Sequence, residues 1–212
     1  MQDAQIANFL LDIKAVKINV KEPFVWTSGV KSPIYCDCRI INSFVEARDT
    51  VINKFTGLIN KDLISTTDAI AGIASGSISY GVLIADRLKK PFIYVREKRK
   101  EHGLKKQIEG EYNTLNKVIL IEDLISTGGS SLNAIKAITE AGLQTVALLS
   151  IMTYGFKEAE IRFKEEKVFH ESLCNLDTLL QVAYERAIID KEGMQEILQF
   201  RESPNNWKPN SL

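Results

Sequence analysis

Cysteine is scarce in this 212-residue chain, and Cys36, Cys38 and Cys174 are too few and too odd in number for a disulfide framework. Cys36 and Cys38, two apart, fall on one face of a strand, and no His or further Cys lies near them at zinc spacing. They read as reduced thiols. An excess charge is missing too, because 27 Lys and Arg balance 27 Asp and Glu. No overall field therefore draws the chain to nucleic acid or to an anionic membrane, although a local basic site stays open. Apolar runs reach only about four or five residues, against the roughly 20 that a spanning helix needs. The N-terminal MQDAQIANFLLDIKA has neither a basic leader nor an apolar stretch with a cleavage site, so no secretory signal is expected. The chain reads as cytoplasmic, without membrane or nucleic-acid partners.

What is present is the mixture of a globular domain, 45% hydrophobic and 25% charged. A chain of this length buries about 70% of its unfolded surface and needs no covalent staples. Residues 3–16 carry Ile6, Phe9, Leu10 and Ile13 at helical spacing. FVWTSG followed by VKSPIYCDCR predicts a hairpin about Thr-Ser-Gly. Ser43 is the expected cap of a helix running to Asn60, with Val51, Ile52, Phe55, Leu58 and Ile59 on its buried stripe.

From residue 69 the pattern becomes strand, turn, helix. AIAGIA (69–74) precedes a helix with Ile78, Val82, Ala85 and Leu88 on one face. FIYVR (92–96), KVILIEDL (117–124) and TVALLSIM (145–152) follow as strands, with VFH (168–170) as a last edge. A helix with Leu132, Ile135 and Ile138 follows STGGSS, and residues 176–200 form closing helices. This alternation predicts an α/β fold with a mostly parallel sheet and right-handed crossovers. One domain over 1–212 is expected: an N-terminal element (1–42), a core (69–155) and closing helices with a tail (156–212). Residues 97–116 break the pattern with almost no apolar content, and a long polar connection inside a compact domain is often a functional lid.

The richest chemical constellation is Glu122-Asp123 at a strand end, then Ser126-Thr127-Gly128-Gly129-Ser130-Ser131 opening a helix. Ligands of open parallel sheets bind beyond the carboxyl ends of the strands. A Gly-rich turn with free helix N–H groups and hydroxyls suits a phosphate, whereas the carboxylates would repel it and suit neutral hydroxyls or a nearby divalent metal. Together they describe a sugar-phosphate site, although a capped helix after a solvated strand end would leave the same pattern. No Gly-Lys-Ser/Thr follows, so this is not a nucleoside-triphosphate P-loop. Arg96, Lys98, Arg99, Lys100, Lys105 and Lys106, with His102, concentrate positive charge in 96–106.

VILIEDLISTGG resembles the ribose-phosphate signature of the type I phosphoribosyltransferases. Arg-x-x-x-Lys-x-His-Gly with Gln-Ile-Glu-Gly resembles the mobile catalytic loop of the orotate phosphoribosyltransferases in particular. FVWTSGVKSPIYCDCR resembles that family's substrate hood, and GIASGSISYGVLIADRL fits the segment before the loop. The resemblance implies the type I phosphoribosyltransferase fold with a small hood and a long catalytic loop. It also implies Mg²⁺-dependent transfer of ribose 5-phosphate from phosphoribosyl diphosphate (PRPP) to N1 of orotate, giving orotidine 5′-monophosphate and pyrophosphate in pyrimidine synthesis. Arg96, Lys100 and His102 are the implied catalytic cations on the leaving group. Glu122 and Asp123 would orient ribose hydroxyls, with Mg²⁺ held mainly by PRPP nearby. Leu124, Ile125, Ser126, Thr127, Gly128, Gly129 and Ser130 complete the implied PRPP site, the turn 126–130 cradling the 5-phosphate. Ser126, Ile34 and Tyr35 would meet orotate. The family also implies a homodimer whose loop crosses to the neighbouring subunit.

The chain departs from the family's pattern in several places. Thr27 stands where many members have Lys, with Lys31 nearest, and Glu97 where the loop often has a second Lys. Ser79-Tyr80 stands where some carry Tyr-Lys, and no Arg lies near Tyr154. Tyr80, at a helix start, and Trp26 are near the expected site; Trp207 and His170 read as packing or surface residues. A purine phosphoribosyltransferase would share the ribose turn but lack the hood. A PRPP-sensing regulator would need a nucleic-acid-binding surface, and none is legible.

Overall fold

The computed structural model describes residues 4–26, 29–98 and 107–209. Helix α1 (Ala4–Asp12) buries Ile6, Ala7, Leu10 and Leu11. Short strands β1 (Val16–Ile18), β2 (Phe24–Val25), β3 (Lys31–Ser32) and β4 (Ile34–Cys36) follow, and a 3-10 turn spans Cys38–Ser43. The hairpin predicted around Gly29 is present as the antiparallel β2–β3 pair, with Gly29 at φ +84°. β1 pairs antiparallel with β4, Val16 opposite Cys36.

After α2 (Val45–Leu58) and α3 (Lys61–Ser65) the chain winds through β5 (Ala69–Ile73), α4 (Ile78–Leu88), β6 (Phe92–Val95), β7 (Ile108–Glu109), β8 (Lys117–Ile125), α5 (Gly129–Glu140), β9 (Gln144–Thr153), α6 (Lys157–Glu165), β10 (His170–Asn175), α7 (Leu176–Glu185) and α8 (Lys191–Glu202). The sheet order is β10-β9-β8-β5-β6-β7, parallel throughout except for antiparallel β7 at the edge. The expected α/β architecture is therefore observed. In β8, Val118 and Leu120 enter one apolar core while Ile119 and Ile121 enter the other. Side chains alternate across a strand, so only a sheet covered on both faces accommodates four consecutive apolar residues.

The structure revises several local expectations. Ser43 does not cap the next helix: it ends the 3-10 turn, and α2 starts after an extended Phe44 with no side-chain cap. Asp37 supplies the local cap instead, accepting from the Arg39 N–H. α4 buries Tyr80, Gly81, Ile84 and Ala85, leaving Val82 45% exposed, so its inner face is rotated from the expected one. The last strand runs from His170 to Asn175 rather than over 168–170, because Val168 N–H still closes the end of α6 on Phe163 carbonyl. α6 escaped the reading because Ala159 and Phe163 are its only buried residues, too few for a visible period. The polar connection is shorter than expected at its distal end, where Ile108–Glu109 pairs with Tyr94–Val95.

Candidate active site

β8 carries Glu122 and Asp123 to the carboxyl end of the sheet, and the following turn brings α5 back across it. The two carboxylates face different ways. Glu122 is 4% exposed and accepts from Ser130 Oγ at 2.9 Å, Ser131 Oγ at 3.3 Å and the Asp123 N–H at 3.1 Å. Burial, then the adjacent Asp123 charge, pushes its carboxyl well above the ordinary range. Asp123 is half-buried, accepts from the Leu124 N–H at 2.9 Å, and presses its carboxylate against Gly76. Glu122 thus braces the start of α5, and Asp123 is the less occupied of the two carboxylates at this strand end.

The turn 126–130 is shaped by Gly128, which adopts φ +75° as the residue preceding α5. No side chain caps α5, so its first N–H groups have no capping acceptor and remain suited to an anion. A Cβ at Gly128 would meet Phe163 Cζ at 3.0 Å and Ala159 Cβ at 3.3 Å. Gly128→Ala should therefore destabilise the fold by ~1–3 kcal/mol from the left-handed backbone and the crowding. A thermal melt would register this as a fall of several degrees.

Three cavities line up along this end of the sheet. The first, about 370 Å³, is lined by Trp26, Tyr35, Cys36, Leu124, Ser126, Thr127 and Tyr154. The second, about 250 Å³, shares Cys36 and Leu124 with it and adds Asp37, Arg39, Gly76, Glu122, Asp123 and Ser130. The third, about 390 Å³, shares Ala74 and Ser75 with the second and adds Tyr94, Arg96, Glu97 and Lys98. An aromatic slot, a pocket with carboxylates and hydroxyls, and a cationic pocket thus follow one another. A larger cavity of about 650 Å³ lies elsewhere, between 18–21 and 188–196. Asp190 there already accepts the Gly193 N–H as the cap of α8, and no Gly-rich turn faces the space.

The aromatic slot is held from behind. Trp26 stacks on Tyr154 at 5.4 Å between centroids and meets Phe200 edge-on at 5.7 Å, which ties the hairpin to the end of β9 and to α8. Tyr154 is 1% exposed, and burial raises its hydroxyl well above the ordinary range, so the slot is lined by neutral groups. Of the residues expected at the base, Ser126 and Tyr35 line the slot, whereas Ile34 is fully buried in the core. Ile125 is also a core residue, 2% exposed, with its carbonyl taken by the Tyr154 N–H. Tyr80 does not face the site: it is wholly buried and its hydroxyl donates to Cys38 carbonyl at 2.6 Å. Ser75 and Gly76, rather than Ser79 and Tyr80, border the cavities.

Arg96 lies on the cationic pocket, its N–H and carbonyl both bonded to Gln107 and its guanidinium 3.5 Å from Glu109. Asn133 of α5 donates to Glu97 carbonyl at 2.9 Å, linking the start of the polar segment to the helix behind the Gly-rich turn. Lys100 and His102 lie outside the described residues. Sequence reasoning missed Arg39, whose guanidinium grips Asp37 at 2.7 and 2.8 Å at the edge of the second cavity. It also missed Gly76 as the seat of Asp123. The signal for Arg39 was only a basic residue two past an Asp, which is common on surfaces.

Comparison with known proteins identifies the family. The family model described as "Phosphoribosyl transferase domain" matches residues 46–178. The orotate phosphoribosyltransferase of Bacteroides fragilis is 43% identical over 202 residues, 95% of each chain. The crystal structure of orotate phosphoribosyltransferase from Aeropyrum pernix superposes with a TM-score of 0.75 at 26% identity, over 87% of this chain and 99% of that one. The Mycobacterium tuberculosis orotate phosphoribosyltransferase, solved in complex with PRPP, shares the fold, with a TM-score of 0.62 at 20% identity over 83% of this chain and 97% of that one.

Proposed function

This chain belongs to the orotate phosphoribosyltransferases of pyrimidine biosynthesis, and we propose which of its residues transfer ribose 5-phosphate from PRPP to N1 of orotate. The observation that carries the assignment is the order of the three cavities, which matches base, ribose and diphosphate laid end to end. Orotate lies in the slot between Tyr35 and the Trp26–Tyr154 pair, with Ser126 and Thr127 hydroxyls at its edge. Ribose hydroxyls meet Asp123, which Glu122 supports through the strand end and Ser130. The 5-phosphate rests on the turn 126–130 and the start of α5. Arg96 faces the diphosphate, joined by Lys100 and His102 of the same segment, as the family resemblance implies.

The chemical difficulty is charge. As the C1–O bond to pyrophosphate lengthens, the ribose becomes oxocarbenium-like and negative charge grows on the leaving group. Cations aimed at the diphosphate favour that state, and the neutral aromatic slot holds the N1 acceptor against the opposite face. A lid over the site excludes water, which would otherwise capture the cationic ribose.

The donor set fits Mg²⁺ carried by the diphosphate better than a metal held by protein. Among the described residues no group of three or more His, Cys, Asp or Glu side chains could hold one. Glu122 is occupied by Ser130, Ser131 and the Asp123 N–H, which leaves Asp123 as the carboxylate nearest such an ion. Bound there, Mg²⁺ would neutralise the leaving group's charge.

We read residues 1–212 as one domain, with 1–42 as its hood, working in the cytoplasm as a homodimer that shares the loop between sites. Exposed Phe44 and Val45 at the start of α2 and Val82 and Leu83 on neighbouring α4 offer apolar surface for a second copy. The test is loss of orotate absorbance with PRPP and Mg²⁺, with adenine, hypoxanthine and uracil as parallel acceptors. Turnover is expected with orotate alone and is expected to stop on chelation by EDTA. Turnover with a purine would move the base assignment out of the slot.

A further inference from the structure

Cys36 and Cys38 take no part in the transfer, yet Cys36 borders both the base and ribose cavities, and Cys38 lies beside it in the core. Their Sγ atoms are 3.5 Å apart, and neither is in a disulfide. Both side chains are buried, 7% and 1% exposed, and Cys36 is a lining residue of both cavities, which brings a small solute in either one next to it. The pair arises where β4 ends and Asp37 (φ −131°, ψ 90°) turns the chain into the 3-10 turn. Side chains two apart on extended backbone point the same way. Closing the gap to the ~2.0 Å of a disulfide takes a movement of about 1.5 Å.

That movement acts on groups the site depends on. The intervening Asp37 is held by its N–H to Ala15 carbonyl and by its carboxylate to Arg39, and Cys38 carbonyl accepts from Tyr80. A ring closed across Asp37 pulls on the backbone that makes these bonds. Tyr35 on one side lines the base slot, and Arg39 on the other edges the ribose pocket. Cys174, the third thiol, is buried and donates to Asn175 carbonyl, apart from these cavities.

Resting on the functional reading above, we propose that Cys36 and Cys38 form an oxidation site: a peroxide joins them in a disulfide that deforms the cavity border at Cys36 and stops transfer until a thiol reduces it. Cys36 sulfur attacks one peroxide oxygen, giving a sulfenic acid and one water. Cys38 sulfur then displaces the sulfenic hydroxyl, and its own proton leaves with that hydroxyl as a second water. Two thiols lose two electrons and one hydrogen peroxide gains them. The 3.5 Å between the two sulfurs puts Cys38 within reach of the Cys36 sulfenic acid, while the hydrogen bond to Cys36 and then burial push the Cys38 thiol up, which slows its attack.

The test treats the reduced full-length protein with hydrogen peroxide, alkylates it with iodoacetamide and digests it with trypsin. Residues 32–39, Ser-Pro-Ile-Tyr-Cys-Asp-Cys-Arg, form one tryptic peptide containing both cysteines. We expect that peptide to be unalkylated and two hydrogens lighter, and turnover with orotate to fall by at least about tenfold. Dithiothreitol should reverse both changes. Cys38→Ser should keep its turnover within about twofold through the same treatment, whereas Cys174→Ser should behave as wild type. Alkylation of both cysteines after peroxide would overturn the proposal, as would a disulfide without loss of turnover or a loss that Cys38→Ser does not relieve. The peptide mass is read on the wild-type chain and depends on no variant folding. A protein that forms the disulfide but never turns over orotate when reduced would overturn the functional reading while supporting the oxidation site.

Discussion

Gly76→Ala is expected to lower kcat/KM for PRPP about 10²-fold while shifting the thermal midpoint by only a few degrees. A Cβ at this position would lie 2.1 Å from Asp123 Oδ2 and 2.5 Å from its Cγ, far inside contact. Gly76 is not among the glycines with positive φ, so alanine there carries no backbone strain of its own. The strain falls on the Asp123 carboxylate, which must swing away from the ribose pocket. Displacing a positioned group by about 1 Å is enough to cost about 10²-fold in rate. Steady-state kinetics with varied PRPP, paired with a melt, would check this. An unchanged kcat/KM would remove Asp123 from the ribose contacts.

Lys100→Ala is expected to leave PRPP binding nearly intact and to lower kcat about 10²-fold, ~3 kcal/mol of transition-state stabilisation. A cation aimed at the departing pyrophosphate gains most of its interaction as the bond breaks, so its removal acts on turnover more than on affinity. The structure supplies a frame for this role. Arg96 is bonded to Gln107 and Asn133 holds Glu97, so the described residues on either side of 99–106 are fixed beside the third cavity. Titration calorimetry with PRPP and initial rates with orotate would separate the two effects. Near-normal turnover would take the segment out of the mechanism.

Legibility in the sequence followed the range of the interactions involved. The continuous apolar centre of 117–124 marked a doubly covered strand, and Glu122-Asp123 followed by a Gly-rich, hydroxyl-rich turn marked the strand end where the cavities lie. Both are local patterns, so a reading of neighbouring residues finds them. The inner face of α4 was misread because Val82 is apolar but faces outward, while Gly81 is buried by the close approach of Phe92. Helical spacing alone does not say which of two apolar stripes meets the sheet.

The division of labour between the two carboxylates was out of reach for the same reason. Glu122 and Asp123 are adjacent and chemically alike, and alternation on a strand sends them to opposite sides. Which side holds the α5 hydroxyls and which holds Gly76 depends on how the crossover helix and the 74–77 loop return to the strand end. The aromatic slot is equally non-local, joining Trp26 to Tyr154 and Phe200 across most of the chain. Composition, periodicity and motif spacing were sufficient for the α/β class, the Gly-rich turn that opens α5 and the concentration of cations in 96–106, since each is written in consecutive residues. The placement of Asp123 against Gly76, the aromatic slot and the Cys36 border of the two cavities came only with long-range packing, which sets distances that no local pattern encodes.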